Sequence, residues 1–154
     1  MQLAKQTGAY VIATAGPRSS RRVTAAGADE VIDHTAADVI AAVSEPVDVV
    51  LSLAPVEPAR LAALLGLIRP GGVLVNTTVW MPAPSDEQRG VRGIDLYVRS
   101  DAQQLAHLVE LADRGELRIE VARRVPLAEL SALHTDAAAG NLPSGKVVVL
   151  ALNT

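Results

Sequence analysis

The 154-residue sequence contains no cysteine and no phenylalanine. The first absence excludes a disulfide framework, a thiolate zinc site and a cysteine nucleophile. A chain without cysteine is at home in the cytoplasm, which is the expected compartment. The second absence leaves one tryptophan and two tyrosines, so the core must be aliphatic and there is little material for stacking on nucleic-acid bases. Positive charge is not in excess either. Fourteen Lys and Arg face seventeen Asp and Glu, a net charge of −3, and the arginines are scattered rather than run together, which argues against a phosphate-backbone partner. No apolar run approaches the roughly 18 residues of a membrane span, and the N-terminus lacks the basic-then-apolar order of a signal peptide. Nucleic acid and membrane are therefore not expected partners. What remains, 49% hydrophobic and 20% charged residues, has the make-up of a globular chain that can bury a substantial core.

Periodicity organises that material into alternating helices and strands. Gln2 to Thr7 reads as the end of a helix, Gly8 as its stop, and Ala9 to Thr14 as a short strand. Arg18 to Ala26 is a polar helix ended by Gly27, followed by a strand at Glu30 to Asp33. A helix over Thr35 to Ser44, a strand over Val47 to Leu53, a helix over Pro58 to Ile68 and a turn at Arg69 to Gly72 lead into a strand over Val73 to Thr78. After a Pro-rich polar loop, Val91 to Arg99 reads as a strand, and Ala102 to Arg114 as a helix with Leu105, Leu108, Val109 and Ala112 on one stripe. Leu117 to Val125 is extended, Leu127 to Ala139 helical, and Lys146 to Leu152 an apolar strand. Such alternation means βαβ units and a parallel sheet flanked by helices, an α/β fold.

The succession GAYVIATAGPRSSRRVTAAGADEVIDH, VDVVLSLA, IRPGGVLV, LVELADRGELR, VPLAELSALHTDAAAG and SGKVVVLAL resembles, in order and over essentially the whole chain, the medium-chain dehydrogenase/reductase superfamily. The NADP-dependent quinone oxidoreductase branch is the part of it most similar. The resemblance implies a doubly wound parallel Rossmann sheet, of which QLAKQTGA matches the end of the first helix. The first, central strand, the Gly-rich turn and the N-terminal catalytic lobe have no counterpart here, so the sequence reads as a fragment, inactive alone, and Met1 as an internal position of a longer gene. Residues 1–117 would form a truncated dinucleotide-binding domain and residues 118–154 a strand-helix-strand return segment that belongs to the catalytic lobe in relatives. Without its central strand the sheet would divide, leaving AYVIAT and EVID apart from VDVVLSL, VLVNTT and VRGIDLYV.

The resemblance also implies a cofactor, NADP(H). NAD-selective relatives carry a carboxylate after the strand that here ends near Thr14, where it would hold the ribose hydroxyls. This chain has none and offers Arg18 and Ser19, with Arg21 and Arg22 one turn on, donors suited to a 2′-phosphate. Ser19 could equally be a helix N-cap. His34 stands where relatives place a residue beside the adenosine phosphate. Ser52 and Ala54 end one strand, and Asn76, Thr77 and Thr78 another. Ligands of such sheets lie outside the carboxyl ends of the strands, so these residues are candidates to border the cofactor. Simple strand termination explains them as well.

No catalytic acid or base is assigned. His107 and His134 have no ligands at metal spacing around them, and neither a metal nor a nucleophile elbow is expected. The implied chemistry is hydride transfer from NADPH to a small-molecule acceptor, a quinone or an α,β-unsaturated carbonyl, with the protein orienting the reactants and excluding water. Two alternatives stay open: a non-catalytic Rossmann-like binding module, and a class I methyltransferase suggested by DVVLS and RPGGVLV. In the family the strand at Gly93 to Arg99 pairs with its twin, which implies a homodimer. Lys146 to Leu152, apolar throughout its centre, must find another strand or remain poorly ordered.

Overall fold

In a computed structural model that describes residues 1–78, 80–143 and 145–151, the alternation is realised as helices and parallel strands in two compact units. One comprises residues 32–101, and the other residues 1–31 together with residues 102–154.

The continuous unit is built on a three-stranded parallel sheet ordered β3 (Val47–Ser52), β4 (Ile68–Asn76), β5 (Arg92–Asp95). Before it, α3 (Val39–Ala42) is shorter than the Thr35 to Ser44 helix expected. The reason is local competition for backbone donors. Asp33 Oδ1 accepts from the Thr35 amide and hydroxyl at 2.9 and 2.6 Å, holding a turn there, and Asp38 caps the short helix by accepting from the Ile40 amide at 3.0 Å. The expected Pro58 to Ile68 helix is split: α4 (Pro58–Ala63), with Pro58 in its first turn, tightens into a 3-10 turn over Leu64–Leu67. The turn expected at Arg69 to Gly72 is instead part of β4. Val47 pairs with Ile68 and Val49 with Val73, so the RPGG run is taken up as a bulge opposite Asp48, and Arg69 clasps the Asp48 carboxylate at 3.0 Å. One sheet face carries the core, where Leu61, Ile68, Leu74, Met81 and Val91 are all buried. The other face presents Val49, Leu51 and Ile94 to solvent, an unusual exposure for a parallel sheet.

The discontinuous unit holds α1 (Gln2–Gln6), β1 (Ile12–Ala15), α2 (Ser20–Ala25), α5 (Ala102–Asp113), β6 (Val121–Pro126), α6 (Leu130–Ala138) and β7 (Lys146–Leu150), while β2 (Glu30–Asp33) crosses the junction in sequence. Gly27 follows α2 with φ +97°, the left-handed conformation a side chain would strain. Glutamines fasten α1. Gln2 both donates to the Arg118 carbonyl (2.9 Å) and accepts from its amide (2.8 Å), and Gln6 donates to the Glu116 carbonyl (2.9 Å). Lys5 meets Asp29 at 2.7 Å, and the same carboxylate accepts from the Val11 amide. On α5 the stripe is displaced from expectation. Leu111 is the buried residue, whereas Leu105 and Val109 are exposed. The apolar C-terminal strand has a partner inside its own chain, because β7 pairs in parallel with β6 from Val121–Lys146 to Pro126–Leu150. Leu152 lies outside the described residues.

The separation expected of the strands is present: β1 and β2 form one two-stranded sheet and β3, β4 and β5 another sheet. The architecture is a partial Rossmann-type α/β fold.

Candidate cofactor site

The turn from β1 into α2 carries the first cluster of candidates. Thr14 is exposed near the end of β1, and the Gly16 carbonyl gathers the amides of Ser19 and Ser20 at 2.9 and 3.1 Å. The Ser19 hydroxyl also donates to that carbonyl, at 3.2 Å, and makes no capping bond to the helix. Ser19 therefore shapes the turn, and the N-cap reading of its side chain fails because its oxygen points back along the chain. Among the described residues Arg18 and Arg21 are exposed and have no hydrogen-bond or ion-pair partner. Arg22 differs: one guanidinium nitrogen lies 3.6 Å from Glu120, and its Nε is buried without a partner. The turn thus exposes two uncommitted guanidinium groups and no carboxylate between Thr14 and Arg22.

The second cluster lies at the carboxyl end of the three-stranded sheet. The Ser52 carbonyl accepts from both the amide and the hydroxyl of Thr77, each at 3.1 Å, tying β3 to the exit of β4. Asn76 is 1% exposed. Its carboxamide nitrogen donates to the Thr78 carbonyl (3.1 Å), the Met81 carbonyl (2.6 Å) and Asp95 Oδ1 (3.3 Å), and its oxygen accepts from the Thr78 hydroxyl (2.7 Å) and amide (3.3 Å). Asp95 Oδ1 also takes the Ala83 amide at 2.9 Å, and the Asn76 carbonyl accepts from the Leu96 amide at 2.8 Å. Asn76 and Thr78 are thereby internal members of a frame, with Ser52 buried beside them, while Ala54 is exposed on the following loop.

Gly93 belongs to this frame for a steric reason. A Cβ there would stand 2.5 Å from the carbonyl oxygens of both Ala83 and Pro84. Asp95 and the segment around Met81 are the residues that reading for periodicity missed. The available signal was an acidic residue inside the otherwise alternating strand RGID, a polar group that sheet burial obliges to find a donor.

His34 is exposed on the turn after β2. Its neighbour Asp33 is held below the usual carboxylate range, first by the Thr35 hydroxyl, then by the Thr35 amide and by the charge of His34. Among the described residues no three or more His, Asp or Glu side chains are placed to hold a metal ion. The three histidines lie on the β2 turn, on α5 and on α6. A shallow cavity of about 330 Å³ lined by Gln2, Lys5, Gly27, Glu116 and Arg118 contains none of the nine candidates. No helix among the described residues is long and apolar enough to cross a membrane.

The sequence pattern of the zinc-binding dehydrogenase family matches residues 26–149. The chain belongs to that family, a branch of the medium-chain dehydrogenase/reductase superfamily, and the methyltransferase alternative falls with this match. Among solved structures it is similar to a quinone oxidoreductase from Coxiella burnetii, with 28% identity, a TM-score of 0.81, and 96% of this chain and 47% of that one covered. An NAD-dependent alcohol dehydrogenase shares the fold at 24% identity and a TM-score of 0.78, covering 98% of this chain and 46% of that one. So does a crotonyl-CoA carboxylase/reductase solved in complex with NADP, at 17% identity and a TM-score of 0.79, covering 97% and 45%. No curated protein matches the sequence. The chain spans about half the length of the solved structures it matches.

Proposed function

We propose that this chain is the cofactor-binding portion of an NADPH-dependent oxidoreductase whose acceptor is a quinone or an α,β-unsaturated carbonyl. The observation that carries the cofactor choice is the pair of uncommitted guanidinium groups, Arg18 and Arg21, on a β1–α2 turn without a carboxylate. Arginine presents a planar fork of donors that matches a phosphate. An acidic residue at this turn would instead accept from ribose hydroxyls and repel a 2′-phosphate. In this reading Arg18 and Arg21 take the 2′-phosphate, and His34 flanks the adenosine side. The carboxyl ends of β3 and β4, with Ala54 and Thr77, border the nicotinamide, and the buried Ser52, Asn76 and Thr78 brace them. When bound, the cofactor supplies a hydride equivalent. The chain's residues hold and orient it and shield its ring from water, and no residue here is assigned a proton-transfer role.

The acceptor is proposed by likeness to the quinone oxidoreductase from Coxiella burnetii. Titration of the intact protein with NADPH, NADH and S-adenosylmethionine tests the reading. Tighter binding of NADPH than of NADH is expected, and no binding of any of the three would favour the non-catalytic module. A cytoplasmic location and a homodimer through Gly93 to Arg99 complete the proposal. β5 pairs only with β4 among the described strands, and Ile94, Leu96 and Val98 are exposed along and beyond it. The regular strand is shorter than expected, Arg92–Asp95, so pairing across a two-fold axis would have to extend it. Sedimentation of the intact protein as a monomer at micromolar concentration would remove the dimer.

A further inference from the structure

Trp80, the only tryptophan of the chain, is 76% exposed just beyond the carboxyl end of β4. An indole left in water is an unfavourable use of the largest apolar side chain, and here its surroundings are not loose. The carboxamide of Asn76 grips the Thr78 carbonyl on one side of Trp80 and the Met81 carbonyl on the other. The Met81 amide donates back to the Thr78 carbonyl at 3.4 Å. Met81 itself is 8% exposed and sits in the core with Leu74 and Val91. Asp95 fixes the far side by binding both Asn76 and the Ala83 amide. A buried asparagine with its donors and acceptor all engaged is costly to assemble and rigid once assembled. This one is spent on the short stretch that carries the exposed indole.

We propose that Trp80 is a specificity-determining residue that stacks on a flat, electron-poor ring bound at this end of the sheet, and that Asn76 is the positioning residue holding it there. The inference rests on the cofactor reading above, because that reading puts such a ring at the carboxyl end of β4. Two rings share the chemistry, the oxidised nicotinamide of NADP⁺ and a quinone acceptor, and the test separates them.

Because Trp80 is the sole tryptophan, its emission reports the site directly in the 154-residue chain. The probes are NADP⁺, adenosine 2′,5′-bisphosphate, which lacks the nicotinamide, and tetramethylbenzoquinone. Saturable quenching by NADP⁺ but not by the bisphosphate assigns the nicotinamide; saturable quenching by the quinone alone assigns the acceptor. In Trp80→Leu, an exposed position whose change leaves the fold intact, the affinity for the assigned ring should fall about tenfold, in the range of one aromatic–base stack. Binding of the bisphosphate should be unchanged. In Asn76→Asp, which keeps the shape but removes three donor bonds, saturable quenching should weaken while circular dichroism and bisphosphate binding persist. If Asn76→Asp does not fold, Thr78→Val removes only the hydroxyl bond to Asn76 and carries the same expectation in milder form. NADP⁺ binding with emission unchanged, together with purely collisional quenching by the quinone, would overturn the role of Trp80 and leave the cofactor reading standing. Failure of both nucleotides to bind this chain, in which the Gly-rich turn has no counterpart, would leave the cofactor reading to titration of the intact protein, and the quinone arm alone would then decide for or against Trp80.

Discussion

The β1–α2 turn and the carboxyl end of the β3–β4–β5 sheet treat their polar groups in opposite ways. At the sheet end each polar atom of the Asn76 carboxamide is engaged inside the protein, behind a side chain that is 1% exposed. At the turn two guanidinium groups are exposed and uncommitted. A charged group can serve an incoming phosphate only if the folded chain has not already satisfied it, whereas a rim that must hold its shape gains from satisfying everything internally. Rigidity and availability are therefore divided between different residues, and substitutions should separate them.

The largest effect is expected in the core that supports the rim. Leu74 is fully buried, so Leu74→Ala should cost about 2–5 kcal/mol through lost burial and the cavity left behind. The midpoint of urea unfolding reads this; a loss below 1 kcal/mol would mean that the face is less tightly packed than described. Asn76→Ala comes next. It takes from the Thr78 hydroxyl, the Met81 carbonyl and Asp95 the bonds that the carboxamide makes to them and should cost about 1–3 kcal/mol, seen in the same unfolding curves and in faster amide exchange at Thr78, Ala83 and Leu96. Arg18→Ala should reverse the pattern. Stability should change by less than about 0.5 kcal/mol, while NADPH binding weakens by about 1.5–3 kcal/mol, the range of a charge-assisted hydrogen bond, and NADH binding does not. Equal weakening of both cofactors would assign Arg18 to general structure.

The smallest effect is acid sensitivity. Asp29, through the Lys5 bond first and then the Val11 amide, and Asp86, through Arg89, are both held below the usual carboxylate range. A depressed folded pKa contributes stability above the unfolded value, near 3.8, and this contribution disappears as pH falls through the folded value. Asp29→Asn should flatten that part of the stability–pH curve, and an unchanged curve would show that the Lys5 pair contributes nothing measurable, as many exposed pairs do.

Much of the fold was legible in local pattern. The alternation of β-branched runs with amphipathic stretches set the order of elements, and the glycines at positions 8 and 27 marked helix ends by their freedom at positive φ. The misjudged boundaries share a cause. At Thr35 and at Arg69 to Gly72, side-chain hydrogen bonding and bulge accommodation decided the backbone, and neither leaves a periodic trace. The candidate site was half legible. Charge and the absence of a carboxylate pointed to the β1–α2 turn, and strand ends to Ser52 and Thr77. That Asn76 turns inward to bind Met81 and Asp95 depends on contacts 5 and 19 residues away in sequence, beyond the reach of any local pattern.

Arg89 carries a consequence for how the chain is made. Its guanidinium binds Asp86 and the carbonyls of Leu65 and Ile68, and its own carbonyl accepts from the Gly71 amide. The β3–β4–β5 sheet of the 32–101 unit thus has its partners within one uninterrupted stretch, whereas the other unit joins residues 1–31 to residues 102–154. On a ribosome adding about 5–20 residues per second, residues 1–31 must wait several seconds for residues 102–154, with which they share a unit. During that wait all three strands of the β3–β4–β5 sheet have already been synthesised. Vectorial synthesis should therefore complete the 32–101 unit before the unit that bears Arg18 and Arg21.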